Sequence, residues 1–265
     1  MKTSKKLFYL FIFACCLSSC RSSKSMQADF RQLETSLFYE LTTPEYKGTK
    51  NTKVYLDRID KSKMPVFTKV KKDGSLFLPL LFVNYSSQDY AITMGESCLK
   101  ENYCKFLTDA LLAECNGSSC FYLTDSMHEM YSDSDYVLKV EIVQNETTSQ
   151  VKIEQGNYYV YGGNDEESYY GEYSNRAAKK ATTNLSFWVR LFKGNNCLTT
   201  NIYNVNKSFK CKDCSFEQTI DANQASLDNM AECLSLATKE MVEQISNEIN
   251  LFLVVKAKQT RAIIG

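Results

Sequence analysis

Leu185-Ser186-Phe187-Trp188-Val189-Arg190-Leu191 sets a large apolar side chain on every second residue, with Ser, Trp and Arg between them. Successive strand side chains point to opposite faces, so this spacing predicts a β-strand with one buried and one wet face. Tyr136, Leu138, Val140 and Ile142 repeat the period with Lys139 and Glu141 outward. Leu198 to Val205 is expected to return beside the first strand as a hairpin across Lys193-Gly194-Asn195-Asn196. These segments put antiparallel sheet at the centre of the fold. Further strands are predicted over Thr52–Ile59, at Phe121-Tyr122-Leu123, and over Leu76–Val83. The last is a nearly continuous apolar run read as buried, in which Pro79 demands an edge position or a bulge.

Two segments carry the helical period instead. Leu99, Tyr103, Phe106, Leu107, Ala110 and Leu111 fall on one face, opposite Lys100, Glu101, Lys105, Thr108 and Asp109, and Asn116-Gly117-Ser118-Ser119 reads as the turn that follows. Leu227, Met230, Leu234, Ala237, Met241, Ile245, Ile249 and Leu253 recur every three or four residues, predicting a long helix from about Ser226, which would cap it. Residues 254–265 are open between continued helix, an edge strand and no order. Phe30, Leu33, Leu37 and Leu41 fit one face of a short helix. The fold class is therefore α+β: a mostly antiparallel or mixed sheet with two main amphipathic helices packed on one face, as a single domain over residues 46–265.

Composition narrows the function classes. The 265 residues are 44% hydrophobic and 23% charged with ten Gly and three Pro, which excludes a collagen-like or disordered chain. Lys+Arg and Asp+Glu both total 31, so no surplus of positive charge exists for a phosphate backbone, and no nucleic-acid partner is expected. One His and few glycines argue against an imidazole-ligated metal or a phosphate-cradling loop. No cofactor, metal or catalytic residue is assigned.

Residues 1–19 read as a secretory signal: Lys2, Lys5 and Lys6, an apolar run from Leu7 to Leu17, then small residues. The run is shorter than the ~20 residues needed to span a bilayer. Leu17-Ser18-Ser19-Cys20 resembles the bacterial lipobox, which implies cleavage before Cys20 and fatty acylation of its thiol. Arg21 in place of Asp implies the outer membrane, and the basic, polar run Arg21–Ser25 implies its periplasmic leaflet. Residues 20–45 are then expected to be a lipid-anchored tether. Loss of three lysines and no acid from 31 of each leaves a net charge near −3.

Besides the acylated Cys20, eight cysteines remain in the mature chain, an even number that suggests disulfides in an exported protein. Cys115 and Cys120 flank the expected turn and are the local candidates for a bridge. Cys211-Lys212-Asp213-Cys214 has the spacing of a redox CxxC, although the helix that would lower a thiol pKa starts too far downstream, so a structural bridge or two free thiols is the plainer reading.

The most unusual composition is the insert at 155–173, with Tyr158, Tyr159, Tyr161, Tyr169, Tyr170 and Tyr173, Gly162-Gly163, and the acids Asp165, Glu166, Glu167 and Glu172. Tyr gives rigid contact area with a polar tip, so these tyrosines are the candidate contacts for a protein or glycan. The plainer alternative is a long hairpin arm. His128 among Asp125, Ser126 and Glu129 lacks a nucleophile elbow and reads as a surface turn, as do Asp133 and Asp135. Lys69, Lys71 and Lys72 read as a soluble β-turn arm.

The element pattern across Leu76–Ser86, Tyr103–Cys115, Phe121–Val143 and Asn184–Phe192 is similar to auxiliary lipoproteins of ABC-type transporters and to the lipopolysaccharide-assembly lipoprotein, with Asp135–Val140 as a central strand. That resemblance implies a non-catalytic subunit docking on an envelope machine. Eight cysteines and the Tyr-rich insert depart from it. Expected function is thus a lipid-anchored periplasmic accessory or scaffold protein with an envelope protein partner. A glycan- or ligand-binding lipoprotein and a thiol-disulfide oxidoreductase through Cys211 and Cys214 are the alternatives.

Overall fold

One strand organises the molecule. In the computed structural model, which describes residues 22–50, 52–79, 83–125, 132, 135–160, 169–210 and 215–264, β5 (Tyr136–Val160) runs for 25 residues and pairs along both edges. The other strands are β1 (Thr52–Leu56), β2 (Lys69–Pro79), β3 (Val83–Thr93), β4 (Phe121–Asp125), β6 (Tyr169–Ala178), β7 (Ala181–Lys193), β8 (Asn196–Phe209) and β9 (Ser215–Phe216). On one edge of β5, antiparallel β7 and then β6 follow one another, with Leu138 opposite Leu191 and Val151 opposite Ala178. On the other edge, parallel β1 pairs at Tyr136–Leu138 and antiparallel β3 takes over at Thr148. β8 extends β7, β4 extends β1, and β2 closes the β3 side as an edge strand.

A bulge sets the two halves of β5 in phase. Its register with β7 shifts between Ile142 and Gln144. Before the shift Leu138, Val140 and Ile142 are buried; after it the buried positions are Asn145, Thr147, Ser149, Val151 and Ile153. One inserted residue moves the inward set from even to odd numbers.

Helices α1 (Ser23–Phe30), α2 (Tyr103–Ser118) and α3 (Thr219–Ile264) cover one face. Asn102 caps α2, its side-chain oxygen accepting from Cys104 N at 2.8 Å. α3 is 46 residues, about 69 Å at 1.5 Å per residue, and lies across β5, β7 and β8 and against α2. Leu227, Met230, Leu234, Met241 and Ile245 bury fully in the same core as Phe187 and Leu191 from the sheet, and Thr238 shares a 2.9 Å hydrogen bond with the Tyr103 hydroxyl of α2. The α+β class and single domain read from the sequence are what the structure has, with a third short helix added.

Several local expectations are corrected. The long helix starts at Thr219, and Ser226 sits inside it, fully buried, donating to Ser149 Oγ at 3.0 Å instead of capping. Its tail continues as helix to Ile264. The run Leu76–Val83 is not one buried strand: it spans the end of β2 and the start of β3, and Leu76, Phe77 and Leu78 are exposed. Pro79 closes an edge strand, as its missing N–H requires. Asn116 and Gly117 continue α2 rather than turn, and Gly117 lies against the Leu41 side chain, where an added Cβ would come 2.7 Å from Leu41 Cδ2.

That contact belongs to a wider one. Of Phe30, Leu33, Leu37 and Leu41 only Phe30 is helical, and residues 31–50 are not a free tether but a strap across α2 and α3. Thr35 Oγ1 donates to Asp228 Oδ1 at 2.9 Å, Phe38 N to Ser235 Oγ at 3.1 Å, and Tyr46 N to Gly117 O at 3.0 Å. Tyr39 reaches Glu114, a fully buried acid whose other oxygen accepts from Ser118 Oγ at 2.9 Å.

Candidate functional site

Beyond the helix layer, β2, β3, β5 and β6 continue as a four-stranded arm. Its backbone carries most of the Tyr-rich insert: Tyr158 and Tyr159 on β5, Tyr169, Tyr170 and Tyr173 on β6, with Tyr159 opposite Tyr170 and Tyr173 opposite Gly156. The hairpin reading of this segment holds for the backbone, whereas Tyr161, Gly162-Gly163 and Asp165–Glu167 lie outside the described residues. Three successive exposed residues, Leu76, Phe77 and Leu78, show that β2 is uncovered on both faces here. They pair with Ser87, Ser86 and Tyr85 of β3, and among the described residues no strand pairs with the other edge of β2. Lys69, Lys71 and Lys72 belong to this strand, with a bulge at Asp73, and not to a turn.

The arm is held at its base. Arg176 donates to Thr219 Oγ1 at 3.0 Å, Ser174 Oγ at 2.8 Å and Glu217 O at 2.6 Å, tying β6 to the first turn of α3. Lys179 pairs with Asp89 at 3.1 Å. Farther out, Lys152 and the Tyr85 hydroxyl both bond Glu154, holding its carboxyl below the usual range while the Tyr85 hydroxyl is pushed up. An uncovered apolar edge strand offers main-chain hydrogen bonds together with side-chain burial, the combination that strand addition by a partner uses.

A second concavity of about 330 Å³ opens between residues 57–63 and β5, where that edge has passed β1 and not yet met β3. Lys139 pairs with Asp57 at 3.1 Å, Arg190 with Glu141 at 3.6 Å and Arg58 with Asp60 at 2.8 Å. Arg190 also stacks over Trp188 at 4.0 Å, leaving its Nε buried without a hydrogen-bond partner. Lys61 and Lys63 complete the lining beside these three ion pairs.

The thiols do not form the expected bridge. Cys115 and Cys120 are both free. Continuation of α2 through Ser118 leaves Cys115 fully buried among helix residues and Cys120 half-buried past the helix end. Burial pushes the Cys115 thiol up to about 12 and Cys104 up to about 11, the opposite of the lowered pKa a reactive thiol needs. Cys98, Cys197 and Cys233 are free as well. Cys20, Cys211, Cys214, His128 and Asp133 lie outside the described residues, and Asp135 accepts from Ser132 N at 2.8 Å in a local turn. Among the described residues no three His, Cys, Asp or Glu gather as a metal site, and no helix is long and apolar enough to cross a membrane. Sequence reasoning missed Leu76–Leu78 as exposed, since an apolar run carries no mark of which face is covered.

These features define an α+β domain with a projecting sheet arm. No family model matches the chain, and no curated protein matches it. Among solved structures, it is similar to protein XCC0632 from Xanthomonas campestris, described under the family model DUF330, at 10% identity, covering 85% of this chain and 97% of that one with a TM-score of 0.39.

Proposed function

We propose that the protein is a lipid-anchored accessory component of a bacterial cell envelope, held by an acylated Cys20 in the periplasmic leaflet of the outer membrane, which docks another envelope protein through its arm. The observation that carries this reading is the exposed Leu76-Phe77-Leu78 on a strand edge left unpaired among the described residues, with only β3 between it and the Tyr-rich hairpin. Exposed apolar groups in a row mark interaction surfaces, and aromatic contact area suits a protein partner. The anchor confines the search for a membrane-bound partner to two dimensions and raises its effective concentration, so no turnover is needed.

The test is photo-crosslinking in the native membrane, with the reactive residue placed at Leu76, at Leu78, or as control at Asn195 in the β7–β8 turn. One discrete protein adduct from the first two positions and none from the third is expected. Adducts only to glycan would replace this reading with a saccharide-binding one, and no adduct from the arm would remove it.

A further inference from the structure

Val66 and Phe67 are 67% and 52% exposed, between buried Met64 and Thr68. Their exposure is built in. The backbone of this turn is fastened inward to the 3-10 turn Glu96–Cys98: Glu96 N donates to Pro65 O at 2.8 Å, Ser97 N to Val66 O at 2.9 Å, and Gly95 N to Thr68 Oγ1 at 3.0 Å. Gly95 allows the approach, since a Cβ there would lie 2.2 Å from the Phe67 carbonyl carbon. With the main chain bound on the inside, the two apolar side chains can only face out.

One cation stands against them. The Arg31 guanidinium stands 5.4 Å from the Phe67 ring centroid, and Lys61 and Lys63 precede the pair in the same segment, Lys63 at a left-handed φ of 59°. Of the nearby acids, Asp60 pairs with Arg58 at 2.8 Å, and Glu96 accepts hydrogen bonds from the neutral Ser62 and Asn102, both at 2.8 Å. Glu34, three residues past Arg31, is an exposed acid on the strap. An apolar tip with an arginine beside it is the chemistry of an interfacial contact with anionic lipid.

Only Arg21 and Ser22 separate Cys20 from α1, so at most about 10 Å of extended chain joins them. α1 adds about 12 Å, which puts the Arg31 backbone within roughly 25 Å of Cys20, a short reach beside the ~69 Å of α3.

We propose that the Met64–Thr68 turn is a second membrane contact, with Val66 and Phe67 entering the headgroup region of an anionic bilayer and Arg31, Lys61 and Lys63 meeting lipid phosphates. This rests on the lipid-anchor reading of Cys20. Two or three acyl chains need no help to stay in a bilayer, so the turn supplies orientation rather than affinity. β2 starts at the next residue and carries Phe77 nine residues away, so the apolar end of the arm stands up to about 30 Å from the membrane.

The experiment uses the full-length acylated protein in vesicles of phosphatidylethanolamine and phosphatidylglycerol, with Trp188→Phe removing the native fluorophore. Phe67→Trp, and separately Val66→Trp as a second reporter, should be quenched at least two-fold by shallow brominated lipid. Phe77→Trp should not be. Combining Arg31→Glu, Lys61→Glu and Lys63→Glu should at least halve the quenching. Protein that sediments with vesicles while both turn reporters stay unquenched would overturn the membrane contact and leave the anchor standing. Protein that does not sediment would overturn the anchor, and this inference with it.

Discussion

The Tyr39 hydroxyl donates to Glu114 Oε2 at 2.7 Å, joining the strap to an acid that is 1% exposed on α2. Tyr39→Phe removes the donor and strands a buried carboxylate oxygen, which costs about 1–3 kcal/mol. Urea unfolding should show that loss with an unchanged m-value, and Glu114→Gln should soften it because a neutral amide is cheaper to leave unpaired.

Phe187 is fully buried opposite Ile142, under α3. Phe187→Ala should cost about 3–5 kcal/mol through lost transfer energy and the cavity left behind. Its neighbour Trp188, half-turned to solvent, should cost far less when replaced by Phe. A comparable loss at both positions would contradict the assignment of faces.

Thiol reactivity should follow burial. Under native conditions maleimide should label Cys197, the exposed thiol, within minutes, and leave Cys98, Cys115 and Cys233 unlabelled until denaturant is added. Peptide mapping without reductant reads each site, and a Cys115–Cys120 bridge would appear as a linked peptide that the structure does not have.

Stability should fall on the alkaline side. Burial raises the Cys104 and Cys115 thiols to about 11 and about 12 from an ordinary value of 9.0, and raises the Tyr39 and Tyr103 hydroxyls from 10.0. A folded pKa above the unfolded one gives stability that is complete below the unfolded value and is lost as pH rises through the folded value. The urea midpoint should be level from about pH 7 to about 8.5, then decline steadily towards pH 12. A rising midpoint above pH 9.0 would contradict these environments.

Charge placed on the arm should separate docking from folding. Leu76→Lys with Leu78→Lys alters exposed positions, so the melting temperature should stay within the shift expected of ~0.5 kcal/mol. Crosslinking to a partner should fall at least ten-fold. Loss of stability instead would mean the arm is covered by something within the chain.

The parts of the fold legible in the sequence are those with a strict period. Phe187, Val189 and Leu191, and Leu138, Val140 and Ile142, are buried on alternate residues, and Leu227–Leu253 lines one helical face, because each depends only on spacing. The bulge at Val143 was not legible: it keeps burial going by changing parity, which breaks the alternation that would reveal it. The strap escaped for another reason. Its ties are single hydrogen bonds to residues as far as 201 positions away, as between Thr42 and Glu243, and distant partners leave no local pattern. The candidate site was half legible, since tyrosine content announced the hairpin while Leu76–Leu78 read as core.

Because β5 is unbroken from Tyr136 to Val160, the projecting part and the helix-covered part share one backbone. A pull at the tip is carried along this one strand, through the bulge at Val143, to Leu138 in the body, so the protrusion should melt together with the body in one thermal transition.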